Sequence, residues 1–343
     1  MPRPAGFRAN SGCPRVESFY YQAGCLFITL KPTAQKPGAL RVAVLRIHVA
    51  GLELEHPVMN ASGILGSSPE ALGRLARAGA SALVTKSFTK EPREGYPTPI
   101  AVPLPYGLLN AVGLSNPGLE GLPSLVKAAR RLGRPVIVSI AGSEPGEFAE
   151  LAAAAEEAGA AAVELNLSCP HARGRGLELG MDPQTVGEIV AAVASTVKIP
   201  VLAKLGLVDR LVEAAGKALE AGARGLVLIN TLRAMAIDVY AMRPVLGNRV
   251  GGLSGPAIHP VAVRAVYEVY REHNCDIIGV GGVEDWRSAA ELILAGARAI
   301  QVGTAIVTRG EQVIDEIVKG LENYLNEVGV KSLEELVGAA HKQ

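Results

Sequence analysis

The stretch Ala158-Gly159-Ala160-Ala161-Ala162-Val163-Glu164-Leu165-Asn166 carries the chain out of a helical pattern into a short apolar strand. That strand then stops in Leu167-Ser168-Cys169-Pro170-His171. Glycine supplies the left-handed backbone that ends a helix, and small alanines let the helix pack closely on the strand that follows. The tripeptide Ala-Gly-Ala recurs at residues 78–80, 221–223 and 295–297. Each copy again leads into an apolar run: Ala82-Leu83-Val84-Thr85, Leu226-Val227-Leu228-Ile229 and Ala299-Ile300-Gln301-Val302. Four more strands read from Val58, Pro135-Val136-Ile137-Val138, Pro200-Val201-Leu202-Ala203 and Asp276-Ile277-Ile278-Gly279-Val280. Helical patterns lie near 69–78, 121–132, 147–158, 183–196, 208–221, 260–273 and 285–295, with another after 305. Strands that are apolar throughout, alternating with helices, predict an α/β fold of the (β/α)8 TIM-barrel type; a doubly wound parallel sheet is the runner-up.

Ahead of the first strand, Leu45-Arg46-Ile47-His48-Val49 and Leu52-Glu53-Leu54-Glu55 alternate around Ala50-Gly51, as a β-hairpin does. Two connections, 87–120 after the second strand and 230–260 after the sixth, are too long for simple turns. Both leave carboxyl ends of strands, so both belong over the mouth of a barrel. Residues 1–41 lack periodicity and read as an irregular, disordered extension, or as sequence upstream of the true start; 42–343 form the barrel domain. Residues 19–30 resemble a signal peptide superficially, but they carry Gln22, Gly24 and Thr29, and no small-x-small cleavage site follows.

A net charge of +1 over 343 residues argues against nucleic acid or an anionic membrane as partner. No apolar run is long enough to span a membrane. The four cysteines are scattered, without a CxxC pair, so neither a zinc site nor an iron–sulfur cluster is expected in this chain, and the cytoplasm is the expected compartment.

The residues just past the strands form a set: Ser62, Lys86, Ser139, Asn166 with Cys169, Lys204, Asn230 with Thr231, Gly281 with Gly282, and Gly303 with Thr304. Each alone reads as an ordinary surface or structural residue. Two lysines and two asparagines converging on one mouth are costly unless they meet a partner. Asparagine pairs suit a planar ring with both donors and acceptors. Glycines after strands seven and eight let backbone N–H groups close on a phosphate, and the helix starts that follow are expected to point positive charge at it. Phosphate, planar ring and lysine together suggest flavin mononucleotide (FMN), with Lys204 against the pyrimidine end of the ring.

Three motifs then resemble a known family. Glu164-Leu165-Asn166-Leu167-Ser168-Cys169-Pro170 resembles the active-site loop of class 1 dihydroorotate dehydrogenases. Leu109-Asn110-Ala111-Val112-Gly113-Leu114-Ser115-Asn116-Pro117-Gly118 is similar to their substrate loop, and Gly251-Gly252-Leu253-Ser254-Gly255-Pro256-Ala257-Ile258 to the form in the heteromeric class 1B. The resemblance implies an FMN barrel that oxidises (S)-dihydroorotate to orotate in pyrimidine biosynthesis. It implies Cys169 as the base that takes the C5 proton while hydride leaves C6. It places Lys86, Asn110, Asn166, Asn230 and Thr231 around the substrate ring, with the backbone N–H groups of Val112, Gly113 and Leu114 at the substrate carboxylate and Ala111 among the substrate-binding residues. It assigns Ser62, Lys86, Ser87, Ser139, Asn166, Lys204, Ile229, Gly255, Gly281, Gly282, Gly303 and Thr304 to FMN, and no metal.

Two departures stand out. Ser139 replaces an asparagine common in relatives, and His171 replaces another. Cys-Pro-His also occurs in dihydropyrimidine dehydrogenases, which reduce uracil or thymine, but the 110–118 loop serves a carboxylate that uracil lacks. A non-catalytic barrel binding a phosphorylated metabolite is the remaining alternative. The class 1B resemblance further implies a partner subunit carrying FAD and an iron–sulfur cluster, with NAD as final acceptor, in a homo-oligomer or heterotetramer. A free-standing class 1A enzyme reducing fumarate is the other option.

Overall fold

In a computed structural model of the chain, which describes residues 44–168 and 177–342, the eight expected strands form one parallel sheet. In chain order they are Val58–Asn60, Leu83–Val84, Val136–Ile140, Ala162–Asn166, Val201–Leu205, Gly225–Leu228, Ile277–Val280 and Ala299–Val302, hereafter barrel strands one to eight. The ladder runs one, eight, seven, six, five, four, three, two, which is the order of a closed (β/α)8 barrel rather than a doubly wound sheet. The described residues lie within the unit Arg41–Gln343. The expected extension, and the loop that holds Cys169 and His171, lie outside them.

All four Ala-Gly-Ala copies end a helix in the same way. Gly79, Gly159, Gly222 and Gly296 have φ of +88°, +91°, +106° and +125°. The N–H of the next alanine bonds back to a carbonyl five residues earlier: Ala80 to Leu75, Ala160 to Ala155, Ala223 to Ala218 and Ala297 to Leu292, at 2.9–3.1 Å. This is the six-to-one closure of a Schellman motif, and it drops each alanine, buried, at the start of a strand.

Strand two has only two residues, so strands one and two are not joined by a regular ladder. Side chains make the seam instead. Asn60 Oδ1 accepts from Val84 N at 2.9 Å, and its Nδ2 donates to Val84 O at 2.8 Å. The N–H and the hydroxyl of Ser81 both donate to Val58 O, and Ser62 Oγ donates to Thr85 O. The expected hairpin, Ile47–Val49 with Leu52–Leu54, turns at Ala50-Gly51 with positive φ at both residues, as a two-residue type I′ turn requires. Ala50 N donates to the Asp276 carboxylate at 2.6 Å, beside the start of strand seven, so the hairpin covers the amino-terminal end of the barrel.

The two long connections pair with each other at the opposite end. Leu232–Ala234, Gly251–Ser254, Gly107–Asn110 and Ala101–Leu104 form a four-stranded antiparallel sheet in that order. Its register sets Leu232 against Leu253, Gly252 against Asn110 and Val102 against Leu109. Leu109, Ala111 and Leu246 give this sheet a small core of its own.

Candidate active site

The carboxyl ends of the barrel strands and the four-stranded sheet enclose a cavity of about 330 Å³. Thirteen of the residues expected in the site line it: Ser62, Lys86, Ser87, Asn110, Val112, Gly113, Leu114, Asn166, Lys204, Asn230, Thr231, Gly303 and Thr304. Asn166 and Lys204 lie at the carboxyl ends of strands four and five, and Ser62, Lys86, Ser87, Asn230, Thr231, Gly303 and Thr304 just beyond strands one, two, six and eight. Asn110, Val112, Gly113 and Leu114 lie in the long connection after strand two.

On one side the polar groups are already joined. Asn166 Nδ2 donates to Ser87 Oγ at 3.0 Å, and the Ser87 and Ser139 hydroxyls are 2.9 Å apart. Ser139 therefore stands behind Ser87 rather than on the cavity wall, consistent with a side chain too short to reach it. Asn230 Nδ2 donates to Ser168 Oγ at 2.9 Å, and that hydroxyl donates to Asn166 Oδ1 at 3.2 Å. The two asparagines are thus held by one hydroxyl, with amide edges toward the cavity. Burial pushes the Lys86 amine below the ordinary lysine range.

The 110–118 loop is shaped by backbone. Gly113, Leu114 and Gly118 have φ of +77°, +57° and +76°. A Cβ on Gly113 would lie 2.8 Å from the Tyr96 ring, so glycine is required there. Asn116 stitches the loop: its Oδ1 accepts from Thr89 N and Gly118 N, and its Nδ2 donates to Leu114 O at 2.7 Å. Ala111 packs into the small core and does not reach the cavity.

At the corner expected to take a phosphate, the glycines pack closely, and one element of the expectation is corrected. Gly282, at φ +67°, sits so tightly that a Cβ would lie 2.6 Å from His259 Cβ and 2.8 Å from Gly255 O. Gly281 O bonds His259 Nδ1 at 2.8 Å, and Thr304 Oγ1 donates to Ser254 Oγ at 2.8 Å. Gly255, Gly281 and Gly282 lie behind the cavity wall, as does Ile229, which is buried. The helix after strand seven, Trp286–Ala295, does not aim an open N-terminus at this corner. Asp285 caps it, accepting from Ser288 N at 3.0 Å, while the Ser288 hydroxyl bonds back to the cap. The carboxylate already takes the place an anion would fill. The helix expected after residue 305 is two helices, the short Thr304–Arg309 and then Val313–Val328.

Sequence reasoning missed Gly63, Ile64, Ala101, Leu108, Ser254 and Val307 on the cavity wall. It also missed Glu164 and Gln301, which bond Lys204 from within the barrel. A charged residue inside the otherwise apolar run Ala162-Val163-Glu164-Leu165 was the available signal.

Cavity and corner together fit a flavin nucleotide. They offer amide and hydroxyl groups for a ring edge, a buried lysine, and a glycine cradle that admits no side chain. No group of three or more His, Cys, Asp or Glu able to hold a metal is found among the described residues.

Comparison with known proteins agrees with this geometry. Residues 44–325 match the family model described as dihydroorotate dehydrogenase. A protein of Aeropyrum pernix, provisionally named dihydroorotate dehydrogenase A (fumarate), is 58% identical over 87% of this chain and 98% of its own length. The catalytic subunits of dihydroorotate dehydrogenase B (NAD(+)) from Thermococcus kodakarensis and Pyrococcus horikoshii are each 48% identical. They cover 88% and 87% of this chain and 99% and 98% of their own lengths. With the match running through the barrel, the 110–118 loop and the glycine corner alike, the chain belongs to the dihydroorotate dehydrogenase family.

Proposed function

We propose that this chain binds FMN and oxidises (S)-dihydroorotate to orotate in pyrimidine biosynthesis. The observation that carries the reading is the meeting of Lys86, Asn110, Asn166, Lys204 and Asn230 in one cavity with the 112–114 backbone turn. FMN, when bound, supplies the hydride acceptor. The residues of the chain do the rest. Asn110, Asn166, Asn230 and Thr231 hold the substrate ring flat by its amide edges, and Val112, Gly113 and Leu114 present backbone to the carboxylate. Lys86 adds a positive charge. Cys169, covalently next to Ser168, takes the C5 proton; its own placement lies outside the described residues. Ser62, Ser87, Ser139, Ile229, Lys204, Gly255, Gly281, Gly282, Gly303 and Thr304 frame the cofactor, with Lys204 at the ring and the glycines at the phosphate.

For the outgoing electrons, we favour a partner subunit with FAD and an iron–sulfur cluster that passes them to NAD. The names of the Thermococcus and Pyrococcus relatives, catalytic subunits of an NAD(+) enzyme, support a second subunit and NAD as the acceptor. The assembly would be a heterotetramer, or a homo-oligomer of this chain, in the cytoplasm. The name of the Aeropyrum relative favours a second reading, with fumarate as direct acceptor. None of the described helices is long and apolar enough to cross a membrane.

A visible spectrum of the purified protein, followed anaerobically on adding dihydroorotate, tests the function. Flavin absorbance that bleaches with dihydroorotate but not with dihydrouracil is the expected result. Protein without flavin, or bleaching by dihydrouracil alone, overturns it. Reoxidation by fumarate without a partner selects the second acceptor.

A further inference from the structure

A buried ion pair lies beneath the cavity, and the chemistry above uses only its basic half. Glu164, two residues before Asn166 in strand four, shares its inward face. Glu164 and Gln301 are 0% exposed and Lys204 is 4% exposed. Lys204 Nζ donates to Gln301 Oε1 at 3.0 Å, and Gln301 Nε2 donates to Glu164 Oε2 at 2.7 Å. Glu164 Oε1 forms no hydrogen bond and has Lys204 Nζ at 3.3 Å as its ion-pair partner. Taking two charges out of water costs several kcal/mol per ion, and their attraction often fails to return it. Branched apolar side chains usually fill this layer of a barrel. What the triad gains must therefore lie in its one member that reaches the cavity, Lys204.

We infer that Glu164 is a positioning residue, the counter-charge that keeps Lys204 an ammonium at the cavity floor, with Gln301 fixing its orientation. The inference rests on the flavin reading above. An amine removed from water without a counter-charge favours its neutral form. Among the described residues, the charged groups facing Lys204 are Glu164 beside it and Lys86, which lines the same cavity and carries the same sign. Of these two, Glu164 is the negative one, 3.3 Å from Lys204 Nζ. An ammonium in this place favours the negative charge that reduction adds to the cofactor.

The test is the two-electron reduction potential of the purified holoprotein, parent against Glu164→Gln, from neutral to alkaline pH. The potential of Glu164→Gln should fall by about 30 mV or more, a tenfold change in the reduced-to-oxidised ratio. The deficit should shrink as pH is lowered and the amine regains its proton. A variant whose potential equals or exceeds the parent's at every pH overturns the inference while leaving the flavin reading intact. A parent that holds no flavin overturns both. If Glu164→Gln does not fold, Gln301→Met carries the test, since it keeps both charges and removes the tether. Its potential should also fall, and an unchanged potential overturns the inference.

Discussion

Asn60 and Val84 exchange two hydrogen bonds, at 2.8 and 2.9 Å, between a side-chain amide on barrel strand one and the backbone of strand two. The same Nδ2 also donates to Ile64 O at 3.0 Å, so one buried amide serves both the seam and the loop that brings Gly63 and Ile64 to the cavity. Asn60→Leu leaves Val84 N–H without its partner in a dry site, at a cost of about 1–3 kcal/mol for each stranded group. We expect a loss on the order of 3 kcal/mol in urea unfolding. A loss of a few tenths would show that strands one and two close without it.

Removing the thiol should separate chemistry from binding. Cys169→Ala is expected to keep its flavin spectrum and lose about 10²–10⁴-fold in turnover, the usual contribution of a general base. In the parent, kcat should rise with pH toward the ordinary thiol value of about 8.5. Full turnover by Cys169→Ala would remove the residue from the mechanism.

Lys86 should act in the opposite direction on the alkaline side. Burial holds its pKa below the ordinary lysine value. Its attraction for an anionic substrate is complete below that lowered pKa and is lost as pH rises through it. KM for dihydroorotate should therefore climb before the ordinary lysine range, about 10.4, is reached. Lys86→Gln should raise KM at neutral pH and flatten this climb. An equally steep climb in the variant would assign the effect to another group.

Gly282→Ala places a methyl 2.6 Å from His259 Cβ at a backbone with φ +67°. The expected result is at least a tenfold weaker hold on flavin, about 1.4 kcal/mol, with an unchanged far-ultraviolet spectrum. Flavin titration of the stripped protein measures it. Parent-like affinity would show that the glycine corner does not touch the cofactor.

Cys275 is half-buried beside Asp276, and its partial burial, together with the neighbouring carboxylate, pushes its thiol up to about 12. The thiolate is the reactive form. In the folded protein, iodoacetamide at neutral pH should leave Cys275 unmodified, as mass spectrometry of its peptide would show. Rapid labelling there would mean that the strand-seven end opens.

The barrel was legible because its units repeat. Gly79, Gly159, Gly222 and Gly296 each stop a helix by the same local hydrogen bonds, so a tripeptide was enough to find them. The lysines and asparagines were legible because a strand end leaves an inward polar side chain nothing to pack on but a ligand. The seam at Asn60 was not, since a side chain standing in for a ladder leaves no periodic trace. Nor was the use of Asp285, where the same carboxylate can cap a helix or leave its end open. Glu164 was hidden for the converse reason: one charge among Ala162, Val163 and Leu165 reads as noise until Lys204 and Gln301 are seen across the interior.

The pairing of Gly107–Asn110 with Gly251–Ser254 also sets a timetable. Asn110 must wait for Gly252, 142 residues later in the chain. At about 5–20 residues per second, a ribosome needs about 7–28 seconds to supply that partner. Through that interval the nascent chain carries a bare strand edge open to other polypeptides, and the mouth of the barrel exists only in outline. The wall over the barrel mouth thus cannot close until residue 252 has been made.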